Sequence, residues 1–242
     1  LTVQGARTGI TGGAVPTGGH ILNLSKLNRI TGMGWDAERN CFLLSVQPGV
    51  QLNQLNKAIA EKSFDTTGWS AQAQSALRRF QQSGAWFLPA DITETTASIG
   101  GMVSTNASGA KSYRYGSMRR HVLGLRLLLA NGKSLSLHRG EQFAQGRQFS
   151  FRLDDGSQIA GQLPAYQMPQ VKNASGYYVH ENMDLIDLFI GSEGTLGIVT
   201  EVTLALAPQP GFTWGMMAFF TREQNALAYV HALRALPQAE QP

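Results

Sequence analysis

Three segments of the chain combine glycine with small hydroxyl residues, a composition that suits the binding of phosphate oxygens. They are the first glycine segment (5–13), the second (89–109) and the third (191–197). Glycine lets the backbone approach a ligand closely and adopt positive φ, so that several N–H groups can converge on a pyrophosphate. The first segment lacks the G-x-G-x-x-G spacing that opens a helix, so taken alone it fits a structural turn equally well.

The second glycine segment also carries apolar residues. Ile99, Met102 and Val103 stand among its glycines, and a solvated loop seldom contains such a set. We therefore expect a partly buried loop that lines a ligand. In the first segment, Thr8 and Thr11 offer hydroxyl donors beside the backbone N–H groups.

The residue types that most often catalyse reactions or bind metals are less informative here than the glycine segments. Cys41 is the only cysteine, which excludes an intramolecular disulfide, and its apolar neighbours predict a buried, unreactive thiol. The histidines do not pair at metal-ligand spacing, so we expect them at surface or core positions. They are His20, His121, His138, His180 and His231. The sequence has no Ser-His-Asp signature and no P-loop, and it identifies neither a metal site nor a catalytic group.

Hydrophobic periodicity predicts the elements that must position these segments. Apolar residues three and four apart predict a helix at 51–62. Further helices are predicted at 71–82 and 223–236, and hairpins at 122–137 and 148–163 with turns at Asn131-Gly132 and Asp155-Gly156. Other strands are predicted at 1–3, 21–24, 42–46, 198–206 and 216–220. Interspersed helices and strands indicate an α+β or mixed α/β protein, and the proline-rich break at 208–211 predicts a domain boundary.

Composition places the chain among ordinary globular proteins. Of its 242 residues, 43% are hydrophobic and 15% are charged, and glycine is in excess with 27 residues. The net charge of +4 is not gathered into a basic stripe, which argues against nucleic-acid binding. No apolar stretch reaches the ~18 residues that cross a bilayer, and no signal-peptide pattern opens the chain. Because the chain starts at Leu1 without a methionine, we expect a fragment of a longer protein.

The three glycine segments, in this order, resemble the FAD-binding domain of the vanillyl-alcohol oxidase / p-cresol methylhydroxylase (PCMH) superfamily. Tyr115-Gly116, the stretch V-L-G-L at 122–125 and the stretch G-S-E-G-T-L-G-I-V-T-E at 191–201 strengthen the likeness. Within the superfamily the sequence is most similar to the branch of glycolate oxidase, D-lactate dehydrogenase and D-2-hydroxyglutarate dehydrogenase. The likeness covers nearly the whole chain.

The resemblance implies an FAD that is bound without a covalent bond. The first segment would carry the pyrophosphate, the second would pass along the ribityl chain and the flavin ring, and the third would lie near the adenosine or the flavin. The implied contacts are Ala6, Arg7, Thr8, Gly9, Ile10 and Gly12; Pro89, Asp91, Thr95, Ser98, Gly100, Gly101, Thr105, Asn106 and Gly109; and Glu193, Gly194 and Ile198. Lys172 and Asn173 would approach the active-site side.

The implied fold is α+β. A two-subdomain PCMH-type FAD-binding domain would occupy 1–207, without the N-terminal strand–helix unit of relatives, and a truncated cap domain for the substrate would start at 208–242. The implied reaction is oxidation of a small 2-hydroxy acid such as D-lactate or glycolate, by hydride transfer to flavin N5. An electron acceptor or a partner redox subunit would complete the reaction, in the cytoplasm or at the inner-membrane surface. Since the base and metal ligands of this branch lie in the cap, the fragment alone is expected to be inactive.

Some residues depart from the family pattern. Gln4 stands where arginine is usual, Ile92 where proline is common and Arg120 where aspartate is common, while Arg7 adds a cation either to the phosphate site or to the solvent. An insertion at 64–84 has no assigned function. Four alternatives stay open: an NADPH-dependent reductase, a flavin-dependent transferase such as alkyl-glycerone-phosphate synthase, a flavin-binding subunit of a multi-subunit dehydrogenase, and a fold relic that has lost FAD.

Overall fold

Helices and strands are mixed along the chain, as predicted. The computed structural model describes residues 1–90 and 92–236. The chain divides into two compact units, Leu1–Pro208 and Gln209–Pro242. The strands are β1 (Thr2–Gln4), β2 (Ile21–Asn23), β3 (Ile30–Asp36), β4 (Cys41–Val46), β5 (Trp86–Phe87), β6 (Val122–Leu128), β7 (Ser134–His138), β8 (Gln148–Arg152), β9 (Gln158–Gln162), β10 (Ile198–Ala205) and β11 (Ala207–Pro208). The helices are α1 (Leu52–Glu61), α2 (Ala71–Gln82), α3 (Ile99–Ser104), α4 (Ser112–Tyr115), α5 (Ile186–Phe189) and α6 (Glu223–Ala235), with a 3-10 turn at Met118–His121.

A five-stranded antiparallel sheet forms the centre of the first unit, in the order β3-β4-β10-β6-β7. In its middle pair, Val46 lies opposite Val202 and Leu44 opposite Leu204, and all four side chains are buried. The predicted strands at 42–46 and 198–206 are therefore confirmed as β4 and β10. Their apolar runs reflect central positions in the sheet, where cross-strand neighbours cover the side chains.

The predicted helices of the first unit form where the periodicity indicated. Helix α1 buries Leu52, Leu55 and Ile59, which recur at spacings of three and four. Helix α2 begins after Ser70, whose hydroxyl accepts the Ala73 N–H at 3.2 Å and caps the first turn.

The insertion at 64–84 has a structural role that the sequence alone did not reveal. It contains α2, which packs against β3, the edge strand of the sheet. Phe80 of α2 contacts Phe42 of β4 edge-to-face with ring centroids 5.1 Å apart, and the Arg79 guanidinium lies 3.8 Å from the ring centroid of Trp35 in β3. The insertion therefore covers the edge of the sheet with aromatic and cation–π contacts.

Both predicted hairpins are confirmed. Strands β6 and β7 pair antiparallel across the Asn131-Gly132 turn, and β8 and β9 pair across Asp155-Gly156. The two turn glycines have φ of 80° and 83°, the left-handed region that glycine enters without strain. Glycine at these positions thus sets the register of each hairpin.

Two expectations differ from the structure. The second glycine segment is not a continuous loop, because its apolar residues Ile99, Met102 and Val103 lie on the buried side of the short helix α3. Spacings of three and four are helical, and the surrounding glycines obscured them. The strand predicted at 216–220 is wrong: no strand forms among the described residues of the second unit, so this segment has no hydrogen-bonding neighbour there.

The remaining predicted helix, at 223–236, is confirmed as α6, none of whose residues is buried. In the part of the chain that the structure describes, no helix has both the length and the apolar character required to cross a membrane.

Candidate functional site

Helix α3 brings the three glycine segments together. At its N-terminal end, the Ser98 hydroxyl accepts the Ala6 N–H at 3.2 Å. At its C-terminal end, the Gly191 N–H donates to Val103 O at 2.9 Å and the Glu193 N–H donates to Ser104 O at 2.8 Å. The first and third segments thus meet at opposite ends of one short helix that belongs to the second.

The first and third segments also approach each other directly. Glu193 Oε2 lies 3.4 Å from the place that a side chain on Gly13 would occupy. The first segment is closed at its base by Gln4, whose buried side-chain amide donates to Ala14 O at 2.8 Å. Gln4 thus fixes both limbs of the loop.

Among its described residues, each glycine segment has one non-glycine residue in the left-handed region. Arg7 has a φ of 62°, Asn106 of 46° and Glu193 of 55°. This conformation costs free energy for residues with a side chain, and such residues cluster at functional sites, where the surrounding structure enforces them. The Arg7 side chain is exposed.

The glycines of the site serve two different purposes. Gly100 packs against Pro48, whose backbone oxygen would lie 3.1 Å from a side chain there, so the fold itself accounts for this glycine. Gly9 and Gly194 have no protein atom within 4 Å of that position. Because nothing in the fold requires a glycine at Gly9, the open surface beside it suits the close approach of a ligand. The residues present therefore fit a bound dinucleotide at the first and third segments.

Several polar residues of the second segment already have protein partners. The Thr105 hydroxyl donates to Gly101 O at 3.0 Å, and Asn106 Oδ1 accepts the Arg119 N–H at 3.0 Å. Ser98 is buried, and its hydroxyl accepts the Ala6 N–H. These hydrogen bonds fix the conformation of the segment. Each side chain keeps a further donor or acceptor for a hydrogen bond to a ligand.

The other predicted contacts differ in their exposure. Those that are exposed or half-buried are Thr8, Ile10, Gly12, Thr95, Gly109 and Ile198. Pro89 is buried, and Asp91, two residues further on, lies outside the described residues.

A cavity of about 880 Å³ adjoins the end of the second segment. One wall comes from residues between Asn106 and Arg120, and the other from residues between Met168 and His180. Lys172 and Asn173 line it together with Gly109. Its volume lies within the range of ~300–1,000 Å³ that is common for small-molecule sites.

An ion cluster of two half-buried arginines on the buried Asp187 adjoins this cavity and was not foreseen from the sequence. Asp187 Oδ1 accepts Arg139 Nη2 at 2.8 Å and Arg119 Nη1 at 3.2 Å. The Arg119 guanidinium also lies 4.0 Å from the ring centroid of Tyr178, which lines the cavity. Burial lowers the pKa of Arg119, and the charge of Asp187 opposes that change. Because the partners stand far apart in the sequence, no local pattern indicated the cluster.

His121 and Cys41 are both buried. Desolvation lowers the pKa of His121 to about 4. Its Nε2 has no hydrogen-bond partner among the described residues. Cys41 is buried as expected, and burial raises the pKa of its thiol. Within residues 1–90 and 92–236, no group of three or more His, Cys, Asp or Glu side chains could hold a metal ion.

Comparison with known proteins identifies relatives of the chain. A family model described as an FAD binding domain matches residues 64–138. The chain is 31% identical to a D-lactate dehydrogenase of Anaerostipes hadrus, over 95% of this chain and 36% of that protein. It is 28% identical to the glycolate oxidase subunit GlcD of Bacillus subtilis, over 91% of this chain and 34% of that protein. It is 31% identical to a D-2-hydroxyglutarate dehydrogenase of Xanthomonas citri, over 86% of this chain and 31% of that protein.

The fold has a counterpart among solved structures. A structure of alkyldihydroxyacetonephosphate synthase matches with a TM-score of 0.56 and 18% sequence identity, over 98% of this chain and 33% of the other. At this identity the likeness concerns the fold alone. The chain spans about a third of the length of the curated relatives it matches. Residues 64–138 thus match an FAD-binding domain of the PCMH type, and the homologues of the chain include D-lactate dehydrogenases, a glycolate oxidase subunit and D-2-hydroxyglutarate dehydrogenases.

Proposed function

We propose that this chain is the FAD-binding part of an oxidoreductase that oxidises a small 2-hydroxy acid such as D-lactate or glycolate. The observation that carries the proposal is the convergence of the three glycine segments on α3, with open space beside Gly9 and Gly194. The similarity to proteins named D-lactate dehydrogenase, over nearly the whole chain, supports the substrate class.

Backbone N–H groups between Ala6 and Gly12 would hold the pyrophosphate of FAD, and Glu193 and Gly194 would approach from the third segment. The second segment, ending at Gly109 beside the cavity, would follow the ribityl chain toward the flavin ring. When bound, FAD supplies the acceptor for a hydride from the substrate. The protein's own part is to fix the loop through Gln4 and Ser98 and to shape the cavity wall.

We also propose that FAD is held without a covalent bond. Some relatives attach the flavin through a histidine, and the corresponding position of this chain is Thr8, whose hydroxyl cannot replace an imidazole nucleophile. The next histidine along the chain, His20, lies outside the first segment. Precipitating the flavin-loaded protein with acid should leave yellow flavin in the supernatant. Flavin that stays with the pellet would contradict this proposal.

Residues 208–242 are proposed to begin the substrate domain, with most of that domain outside this chain. Positioning of reactants accounts for ~7–11 kcal/mol of a barrier, and an incomplete substrate domain would lose much of it. We therefore expect the longer protein to reduce its flavin rapidly with D-lactate, glycolate or D-2-hydroxyglutarate, and this chain alone to do so very slowly.

The experiment mixes each flavin-loaded protein with the three acids and an artificial electron acceptor, and follows flavin bleaching and acceptor reduction. Rapid bleaching of the 242-residue chain would contradict the incomplete domain and would place the catalytic groups within these residues. Failure of the longer protein with all three acids, together with bleaching by NADPH, would contradict the substrate class and favour a reductase.

The name of one relative favours a multi-subunit arrangement as a second candidate. A relative at 28% identity is named a glycolate oxidase subunit, so the chain would work beside partner subunits in a multi-subunit dehydrogenase. In that case the longer protein binds flavin but passes electrons to an artificial acceptor only when its partners are present. A flavin-dependent transferase remains a further candidate, supported by fold alone.

A further inference from the structure

We infer that Arg119 is a positioning residue, which holds the second and third glycine segments together at the flavin end of the site. The inference rests on the proposed function, because it assigns a role to a residue of the site proposed for FAD. Arg119 is not among the contacts that the resemblance implies, and it acts through the two segments that it joins.

The first observation is the bond between Arg119 and the second segment. The backbone N–H of Arg119 donates to Asn106 Oδ1 at 3.0 Å. Asn106 has a φ of 46°, in the left-handed region, where a residue with a side chain is held by its surroundings. The bond to Arg119 therefore helps to keep the end of the second segment in this conformation.

The second observation is the bond between Arg119 and the start of the third segment. Nη2 of the guanidinium donates to Ile190 O, and Nη1 donates to Asp187 O. Both carbonyls lie at the C-terminal end of α5, where carbonyl groups lack partners within the helix. Gly191 follows at once, and a side chain there would lie 3.3 Å from Asn106 Cβ and 3.5 Å from Arg119 Nη2. The two segments therefore meet at Arg119.

The third observation is the place of Arg119 in the cavity wall. Arg119 lines the cavity together with Asn106, Gly191 and Tyr178. Its guanidinium stacks on the Tyr178 ring, 4.0 Å from the centroid, so that it joins both walls of the cavity to the third segment. Its charge is balanced by Asp187 at 3.2 Å. Because of this balance, we assign to Arg119 the shaping of the wall and not the binding of an anion.

The position of Arg119 along α3 decides which end of the cofactor it affects. Asn106 and Gly191 lie at the C-terminal end of α3, whereas Ser98, which accepts the Ala6 N–H of the first segment, lies at the N-terminal end. The six residues of α3 separate these ends by about 9 Å. Loss of the Arg119 bonds should therefore disturb the flavin end of the site more than the pyrophosphate end.

Lysine cannot replace Arg119 in this role. A planar guanidinium presents two nitrogens to two carbonyls at once, whereas an ammonium is a single charge on a flexible chain. Arg139 offers a matched comparison, since it is half-buried and bonds to the same Asp187 carboxylate at 2.8 Å. Its further hydrogen bonds go to Val122 O and Arg119 O, both outside the glycine segments.

The test compares the binding of FAD with that of ADP, which lacks the flavin, by calorimetry on flavin-free protein. We expect Arg119→Lys to weaken FAD at least about tenfold and ADP less than about twofold. The control Arg139→Lys should leave both affinities within about twofold of the wild type. At saturating FAD, the visible circular dichroism of the bound flavin should change in Arg119→Lys and not in the control.

A second measurement needs no ligand. The N–H groups of Gly191 and Glu193 donate to carbonyls of α3, and their hydrogen exchange, followed by NMR, reports how firmly the third segment is held. Exchange at both groups should rise at least about fivefold in Arg119→Lys and stay at the wild-type rate in Arg139→Lys. If Arg119→Lys does not fold, Tyr178→Leu, which removes the ring contact alone, should raise the exchange about twofold.

Equal weakening of FAD and ADP in Arg119→Lys, equal effects of the two lysine variants, or exchange at the wild-type rate in Arg119→Lys would overturn the inference. Unchanged exchange in Tyr178→Leu would overturn it where Arg119→Lys does not fold. If the wild-type protein binds neither FAD nor ADP, the proposed function fails. The exchange of Gly191 and Glu193 then still decides whether Arg119 holds the two segments together.

Discussion

Burial of one imidazole gives the protein a stability that depends on pH. His121 is buried, and its pKa falls from 6.5 to about 4 because desolvation disfavours the charged form. Its ring donates a hydrogen bond to the Tyr115 carbonyl, which opposes that shift only in part. Between pH 6.5 and about pH 4 the unfolded chain binds a proton that the folded protein does not.

The free energy of unfolding should therefore be highest above pH 6.5 and should fall as the pH is lowered toward about 4. The loss from this group amounts to at most about 3 kcal/mol. Urea unfolding between pH 4.5 and pH 8, with His121→Gln beside the wild type, measures it. The variant should show a flatter profile, and the exposed control His20→Gln should follow the wild type. Parallel profiles for wild type and His121→Gln would show that another group controls the dependence.

A hydrogen bond between two tyrosines controls the loop at 166–177. The Tyr166 hydroxyl donates to Tyr177 O, and loop residues such as Val171 and Lys172 are exposed. Removing this bond costs about 1 kcal/mol, which raises the open population of the loop about fivefold.

Tyr166→Phe should therefore increase the rate of tryptic cleavage after Lys172 by about that factor, measured by mass spectrometry under native conditions. Tyr113→Phe removes a hydroxyl from another exposed tyrosine, outside the loop, and serves as the control. The prediction fails if both variants are cleaved at the wild-type rate.

Local patterns predicted most of the elements but not their assembly. Spacings of three and four gave α1 and α2 to within a residue, and Asn-Gly and Asp-Gly turns gave both hairpins. Strand β3 was missed because Gly32 and Gly34 interrupt its apolar residues. Its stability comes from pairing with β4 and from α2, which covers it, and neither contact leaves a trace in the strand's own sequence.

At the candidate site, the composition of the segments was predictable from the sequence. The reason why a particular residue stands at each position was not. The composition of the glycine segments indicated a ligand, but it did not distinguish Gly100, which packs on Pro48, from Gly9, which faces open space. That difference depends on residues far away in the sequence. The Asp187 cluster was hidden for the same reason.

At the scale of the whole molecule, three distant stretches of chain meet on one short helix of the first unit. A helix of six residues is not stable by itself, so α3 depends on the sheet that it packs against and on the loops bonded to its ends. The conformation of the site therefore depends on the core of the first unit. A ligand bound to the three segments should raise the melting temperature of the whole first unit.

Flavin retention by a Gly9→Leu variant tests the central claim most directly, with Gly84→Leu as the matched control. Both glycines are exposed, neither has a positive φ, and neither has a protein atom within 4 Å of a new side chain. Each substitution should shift the melting temperature of the flavin-free protein by no more than about 2 °C. We predict that Gly84→Leu retains FAD as the wild type does, measured by absorbance of the purified protein, and that Gly9→Leu retains less than about a tenth of it. Full occupancy in Gly9→Leu would contradict the placement of FAD on the first glycine segment.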